Sequence, residues 1–99
     1  PLMKNKKIRI LQPDIMRGGY TNLIYTSQLA NQYGIKIAPH MFPELSIHIV
    51  ASIENPSWLE YMGWYDHLWK EPLIPVNGTL QPTNRPGHGM DFKTEINTL

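Results

Sequence analysis

The chain has 99 residues, 41% of them hydrophobic and 17% charged, with a formal net charge of +1; it is one small domain or a piece of a larger one. That balance excludes a disordered chain and gives no electrostatic case for a nucleic-acid partner. Without cysteine there is no disulfide framework or thiolate zinc site, and no apolar run approaches the roughly 20 residues that cross a bilayer.

Taken in order, the basic opening PLMKNKKIRI lacks a following apolar core and is not expected to act as a signal peptide. A cytoplasmic protein without a membrane partner is the expectation. Lys4, Lys6, Lys7 and Arg9 read as a solvated face. Ile8 to Gln12 is a short apolar run with β-branched residues, closed by Pro13-Asp14: a strand. Gly18-Gly19 makes a turn. Thr21 is placed to cap a helix with Leu23, Ile24, Ala30 and Tyr33 on its apolar stripe, and Gly34 stands where a left-handed cap belongs.

The unit then repeats. Ile35 to Ala38 is a second strand, closed by Pro39-His40. Pro43 suits a first helical turn, and Leu45, Ile49, Val50 and Ile53 form one apolar face up to Asn55-Pro56. Ser57 to Tyr61 is a third, weaker strand. Beyond Gly63 periodicity is lost, and four of the nine prolines (Pro72, Pro75, Pro82, Pro86) fall in a tail of irregular texture. So long an irregular segment is expected to lie across something larger.

The order is therefore β-α-β-α-β with a Pro-rich tail, in the α/β class. Single helices between strands imply parallel neighbours with right-handed crossovers. Two helices cover only one face of such a sheet, and both outer strands would show open hydrogen-bonding edges. In a closed barrel the opposite strands fill the second face. The expectation is a partial barrel domain over residues 1–99, with the other strands absent.

Three ionisable residues occupy equivalent places. Asp14 follows the first strand, His40 the second, and Glu60 closes the third, with separations of 26 and 20 residues. Parallel strands aim their carboxyl ends at one rim, where parallel α/β proteins place active sites. Neighbouring strands lie about 4.8 Å apart, within bonding reach for Asp14 and His40. An imidazole against a carboxylate is oriented, fixed in tautomer and made more basic, as a general base requires. Glu60 could be an acid, or hydrogen-bond a developing oxyanion. Proton transfer at carbon and hydrolysis both remain open at this point, although no Gly-x-Ser-x-Gly turn supports a hydrolase.

Blander roles exist for each residue. Asp14 could simply cap a turn or helix, His40 could be a loop residue, and Glu60 could pair with a surface Lys or Arg. His40, Glu44 and His48 share a zinc-like spacing of four, but Pro43 puts His40 ahead of the helix and breaks the common face. His48 is expected to pack on the helix or bond to backbone. Trp58, Trp64 and Trp69 are expected in packing rather than ligand stacking.

The segments LQPDIMRGGYTN, IKIAPHMFPELSIHIVASIENPSWLEY and PVNGTLQPTNRPGHGMDF together resemble the end of mandelate racemase and the related acid-sugar dehydratases of the enolase superfamily. The strongest element is PHMFPELSIH followed twelve residues later by Glu60. The resemblance implies strands six to eight of a (β/α) barrel, with Asp14 and His40 as the catalytic dyad and Glu60 contacting the substrate carboxylate. It also implies an N-terminal capping domain and earlier strands, absent from these residues, Mg²⁺ held by three carboxylates on those strands, none bound by this segment, and proton transfer next to the carboxylate of a sugar acid or 2-hydroxy acid. A dehydratase is preferred to a racemase, and a homo-oligomer is expected. The segment alone should be inactive; the alternative is a non-catalytic, self-associating barrel module. One departure stands out. Gly18 and Gly19 lie four and five residues after Asp14, where the family usually has five and six.

Overall fold

The computed structural model describes residues 2–93. In chain order it holds β1 (Ile10–Leu11), α1 (Ile15–Gln32), β2 (Lys36–Ile37) and α2 (Pro43–Ser52), with short 3₁₀ turns at Leu2–Lys4 and Asp66–Leu68. The two strands pair in parallel, Ile10 with Lys36 and Leu11 with Ile37. No described helix is long and apolar enough to cross a membrane.

Proline decides where the ladder stops. On one side of β2, the amides of Lys36, Ala38 and His40 donate to the carbonyls of Arg9, Leu11 and Pro13, each at 2.9 Å. The return bond from position 13 cannot form, because proline has no N–H. Regular pairing therefore ends at Leu11 and reappears as one parallel bridge between Asp14 and His40. On the other side, Ile37 donates to Asn55 at 2.9 Å and receives from Ser57 at 2.8 Å, a single parallel bridge from Ile37 to Pro56.

That bridge is all that appears of the expected third strand over Ser57 to Tyr61. Pro39 has no amide to offer the next rung to Ser57 O, so pairing stops after the bond from the Ser57 amide. Residues 55–57 nevertheless flank β2, which is hydrogen-bonded on both sides and central to the trio.

Helix α1 starts earlier than Thr21. Asp14 is its N-cap, accepting from the Met16 amide at 2.8 Å, and supplies the acceptor that an orphan first-turn amide needs. The helix breaks at Gly19 (φ 75°, ψ −178°) and resumes, so the glycine turn lies inside the element. At its far end Gly34 takes φ 69°. The Gly34 amide bonds Asn31 O and the Ile35 amide bonds Ala30 O, the pairing of a Schellman cap.

The buried stripe of α1 is Ile15, Leu23, Ser27 and Ala30. Ile24 and Tyr33, expected on it, are 40% and 46% exposed. Ser27 takes the inward place, its hydroxyl bonded to Ile24 O at 2.7 Å. Helix α2 begins with Pro43 behind a left-handed Phe42 and is buried on two sides. Ile49 packs with Ile15 and Leu23 of α1. Ile47 packs with Leu73 and Met90 of the tail.

The tail thus lies on α2. Trp69 stacks on Phe92 with ring centroids 4.9 Å apart, Lys70 N bonds Asp91 O, and Lys93 N bonds Leu68 O. The Tyr61 hydroxyl lies 3.3 Å from both Asp66 Oδ2 and Leu73 O; burial and the neighbouring Asp66 and Glu44 carboxylates push its phenol up from the usual 10.0. Burial likewise raises that of Tyr20, whose hydroxyl donates to Leu45 O at 2.7 Å.

Asn55 ties these layers together. It is 8% exposed, and its side-chain amide donates to Ser27 O at 3.0 Å and Ile35 O at 2.8 Å. Asn55→Leu leaves two buried carbonyls short of a donor, at about 1–3 kcal/mol for each group left unpaired. A urea midpoint unchanged by this substitution would contradict the assignment.

Candidate active site

Side chains alternate across a strand. Ile10, Gln12 and Asp14 therefore share one face of the sheet with Lys36, Ala38 and His40, their register partners. Leu11, Ile37 and Pro39 turn the other way, toward the helices: Ile37 is 0% exposed whereas Ile10 is 50% exposed. The first face is open, and its carboxyl end carries the ionisable groups.

The Asp14–His40 bridge sets two backbones side by side there. His40 Nδ1 lies 3.7 Å from Asp14 Oδ2, with the His side chain 44% and the Asp side chain 25% exposed. That separation is an ion-pair contact, longer than a hydrogen bond, of the kind that tightens when a substrate closes over a site. Nδ1 faces the carboxylate, so Nε2 is the nitrogen left for another group. Asp14 has two tasks. Oδ1 caps α1 through Met16 N while Oδ2 faces the imidazole.

Glu60 joins the same rim by a different route. Its Oε1 accepts from the Met41 amide and its Oε2 from the Gln12 side-chain amide, each at 2.8 Å. No surface Lys or Arg holds it among the described contacts. Met41 (φ 55°) and Phe42 (φ 49°) are both left-handed, a conformation that costs L-residues about 1–2 kcal/mol each. Strain of this kind concentrates at functional sites. Here it lies immediately after His40 and frees an amide for Glu60.

The structure thus brings Asp14, His40 and Glu60 to one rim, and adds two groups that the sequence reading missed. The Met41 amide had no signal, since its direction depends on the left-handed turn. Gln12 had one. It stands just after β1 and two residues before Asp14 in extended chain, so it must share the face of Asp14.

The other candidate constellation does not assemble. His40 lies outside α2, while Glu44 and His48 lie on it; His48 Nε2 bonds His88 O at 2.9 Å. Among the described residues no group of three His, Cys, Asp or Glu side chains could hold a metal. At the rim, both Glu60 oxygens and one Asp14 oxygen already accept amide bonds. These residues do not fit a divalent-cation site, and no chemical step is derived through one.

Two parallel strands joined by a helix, with ionisable groups gathered at their carboxyl rim, define an α/β protein. Residues 1–96 match the enolase C-terminal domain-like family, and the chain belongs to it. It is 34% identical over 83 residues to L-talarate/galactarate dehydratase of Salmonella typhimurium, an alignment covering 83% of this chain and 20% of that protein. It is 30% identical over 86 residues to 3,6-anhydro-alpha-L-galactonate cycloisomerase of Streptomyces coelicolor, covering 83% and 24%. Its fold is similar to the crystal structure of L-talarate dehydratase from Polaromonas sp. JS666 complexed with Mg and L-glucarate. The TM-score is 0.88 at 28% identity, covering 98% of this chain and 27% of that one. The chain therefore spans about a quarter or less of the length of these relatives.

Proposed function

We propose that the chain supplies the acid–base part of an enolase-superfamily active site that removes the proton next to the carboxylate of an acid sugar, as a dehydratase, with a 2-hydroxy-acid racemase as the other activity of this chemistry. The observation that carries the reading is the Asp14–His40 contact across a parallel bridge at the open rim. His40 is the base through Nε2, and Asp14 holds the ring and stabilises the imidazolium that forms. Glu60 contacts the substrate carboxylate or the enediolate derived from it.

In dehydration the proton leaves carbon for His40, and the hydroxyl on the next carbon departs as water after taking a proton. The enol left behind tautomerises to a keto acid. Relatives bound to Mg and L-glucarate support this substrate class, and in the whole protein the metal's ligands would come from other strands of the barrel. The test is turnover of acid sugars with Mg²⁺ by the whole protein in D₂O. Deuterium entering the carbon beside the carboxylate, or a keto acid formed, is the expected result. A whole protein that neither exchanges nor dehydrates any acid sugar or 2-hydroxy acid would contradict the proposal.

A further inference from the structure

We infer that Gln12 is a positioning residue that holds Glu60 in one orientation toward the substrate; the inference rests on the functional reading above. A glutamate side chain turns about three bonds, and a carboxylate that must meet a substrate oxygen gains from being held before it arrives. Glu60 is held from two elements at once. The Met41 amide, aimed by the left-handed turn after β2, takes Oε1, and the Gln12 amide just after β1 takes Oε2, both at 2.8 Å.

The two bonds fix the plane of the carboxylate where either alone would leave a swivel. An ionised carboxylate only accepts, so Gln12 must present its NH₂ to it. A neutral donor grips Glu60 without cancelling its charge, which a Lys or Arg at position 12 would do.

The setting separates positioning from structural support. Gln12 is exposed on the open face, and its bond to Glu60 is exposed with it, so the fold of this chain gains little from the pair. Gln12 sits two residues from Asp14 on the same strand face. One strand thus carries both the partner of His40 and the partner of Glu60, and fixes the base and the substrate contact in a common frame.

In the whole protein, Gln12→Met keeps the size and removes the donor. It should lower kcat about tenfold to a hundredfold while KM stays within about threefold, the pattern of an interaction made in the transition state. In this chain, where the pair is exposed, the melting temperature should not move. Gln12→Glu, which sets one carboxylate against another, should lose more activity near neutral pH. Its rate relative to wild type should recover as acid lets the pair share a proton.

Wild-type kcat in Gln12→Met, or a loss matched by an equal fall in thermal stability, would overturn the inference. A separate readout needs no turnover: the side-chain amide resonance of Gln12 in ¹⁵N-glutamine-labelled protein should move on Glu60→Leu. A wild type without any turnover overturns the functional reading alone. The grip is then judged by that resonance, and an unmoved signal overturns it as well.

Discussion

His40→Asn is expected to lower turnover of an acid sugar by the whole protein about 10²- to 10⁴-fold, the range a positioned general base contributes. The fold should survive. The His40 side chain is 44% exposed, and its structural contribution is the backbone bond from its amide to Pro13 O, which asparagine keeps. Asp14→Asn is the sharper companion. Asparagine caps helices about as well as aspartate, so the bond from Met16 N at 2.8 Å has a substitute acceptor, while the charge facing Nδ1 is gone. Activity should fall in both variants with melting temperatures close to wild type. A His40→Asn protein with wild-type kcat would remove the base from the mechanism.

The second large effect concerns stability. Ile37 is 0% exposed, packed with Ala30 and Ile35 and bordered by Met3, Ile8, Leu11 and Ile53, on the strand bonded from both sides. Ile37→Ala should cost about 2–5 kcal/mol, the lost transfer energy of the side chain plus the cavity it leaves. Against a total of roughly 5–15 kcal/mol for a domain, the urea midpoint should drop steeply. Ile10→Ala, on the opposite face of the same sheet and 50% exposed, should stay within about 0.5 kcal/mol in this chain. Equal losses for the two would contradict the two-faced sheet.

Much of this arrangement is legible in the residues. The spacing of 26 between Asp14 and His40 is also the strand register, since Ile10 pairs with Lys36 and Asp14 with His40 at the same offset. Pro43 and Gly34 mark helix ends through backbone chemistry that any context preserves. What is not legible depends on partners distant in sequence. The third strand fails because Pro39 removes the next rung from β2, a matter of register that no local propensity reports. Hydropathy hides Ser27, which is buried by bonding its own helix, and favours Ile24 and Tyr33, which face outward. That Asp14 caps a helix is legible; that the same carboxylate also faces His40 while Thr21 is left inside α1 is not. Glu60 found backbone and amide donors in place of a surface cation, one of them supplied by a turn that only coordinates reveal.

The alternation along β1 also bears on how this segment tolerates changes of length. Inserting or deleting one residue between Ile8 and Gln12 would slip the strand by half a pleat, sending Gln12 inward and Leu11 out to solvent. Core and rim would fail together. After Asp14 the rule relaxes. The break at Gly19 (φ 75°, ψ −178°) absorbs a change of direction, and a glycine pair standing one place nearer the aspartate leaves the pleat untouched. Indel variants selected for folding should therefore cluster between Met16 and Thr21 and avoid the strand, even though both segments lie within ten residues of the same carboxylate.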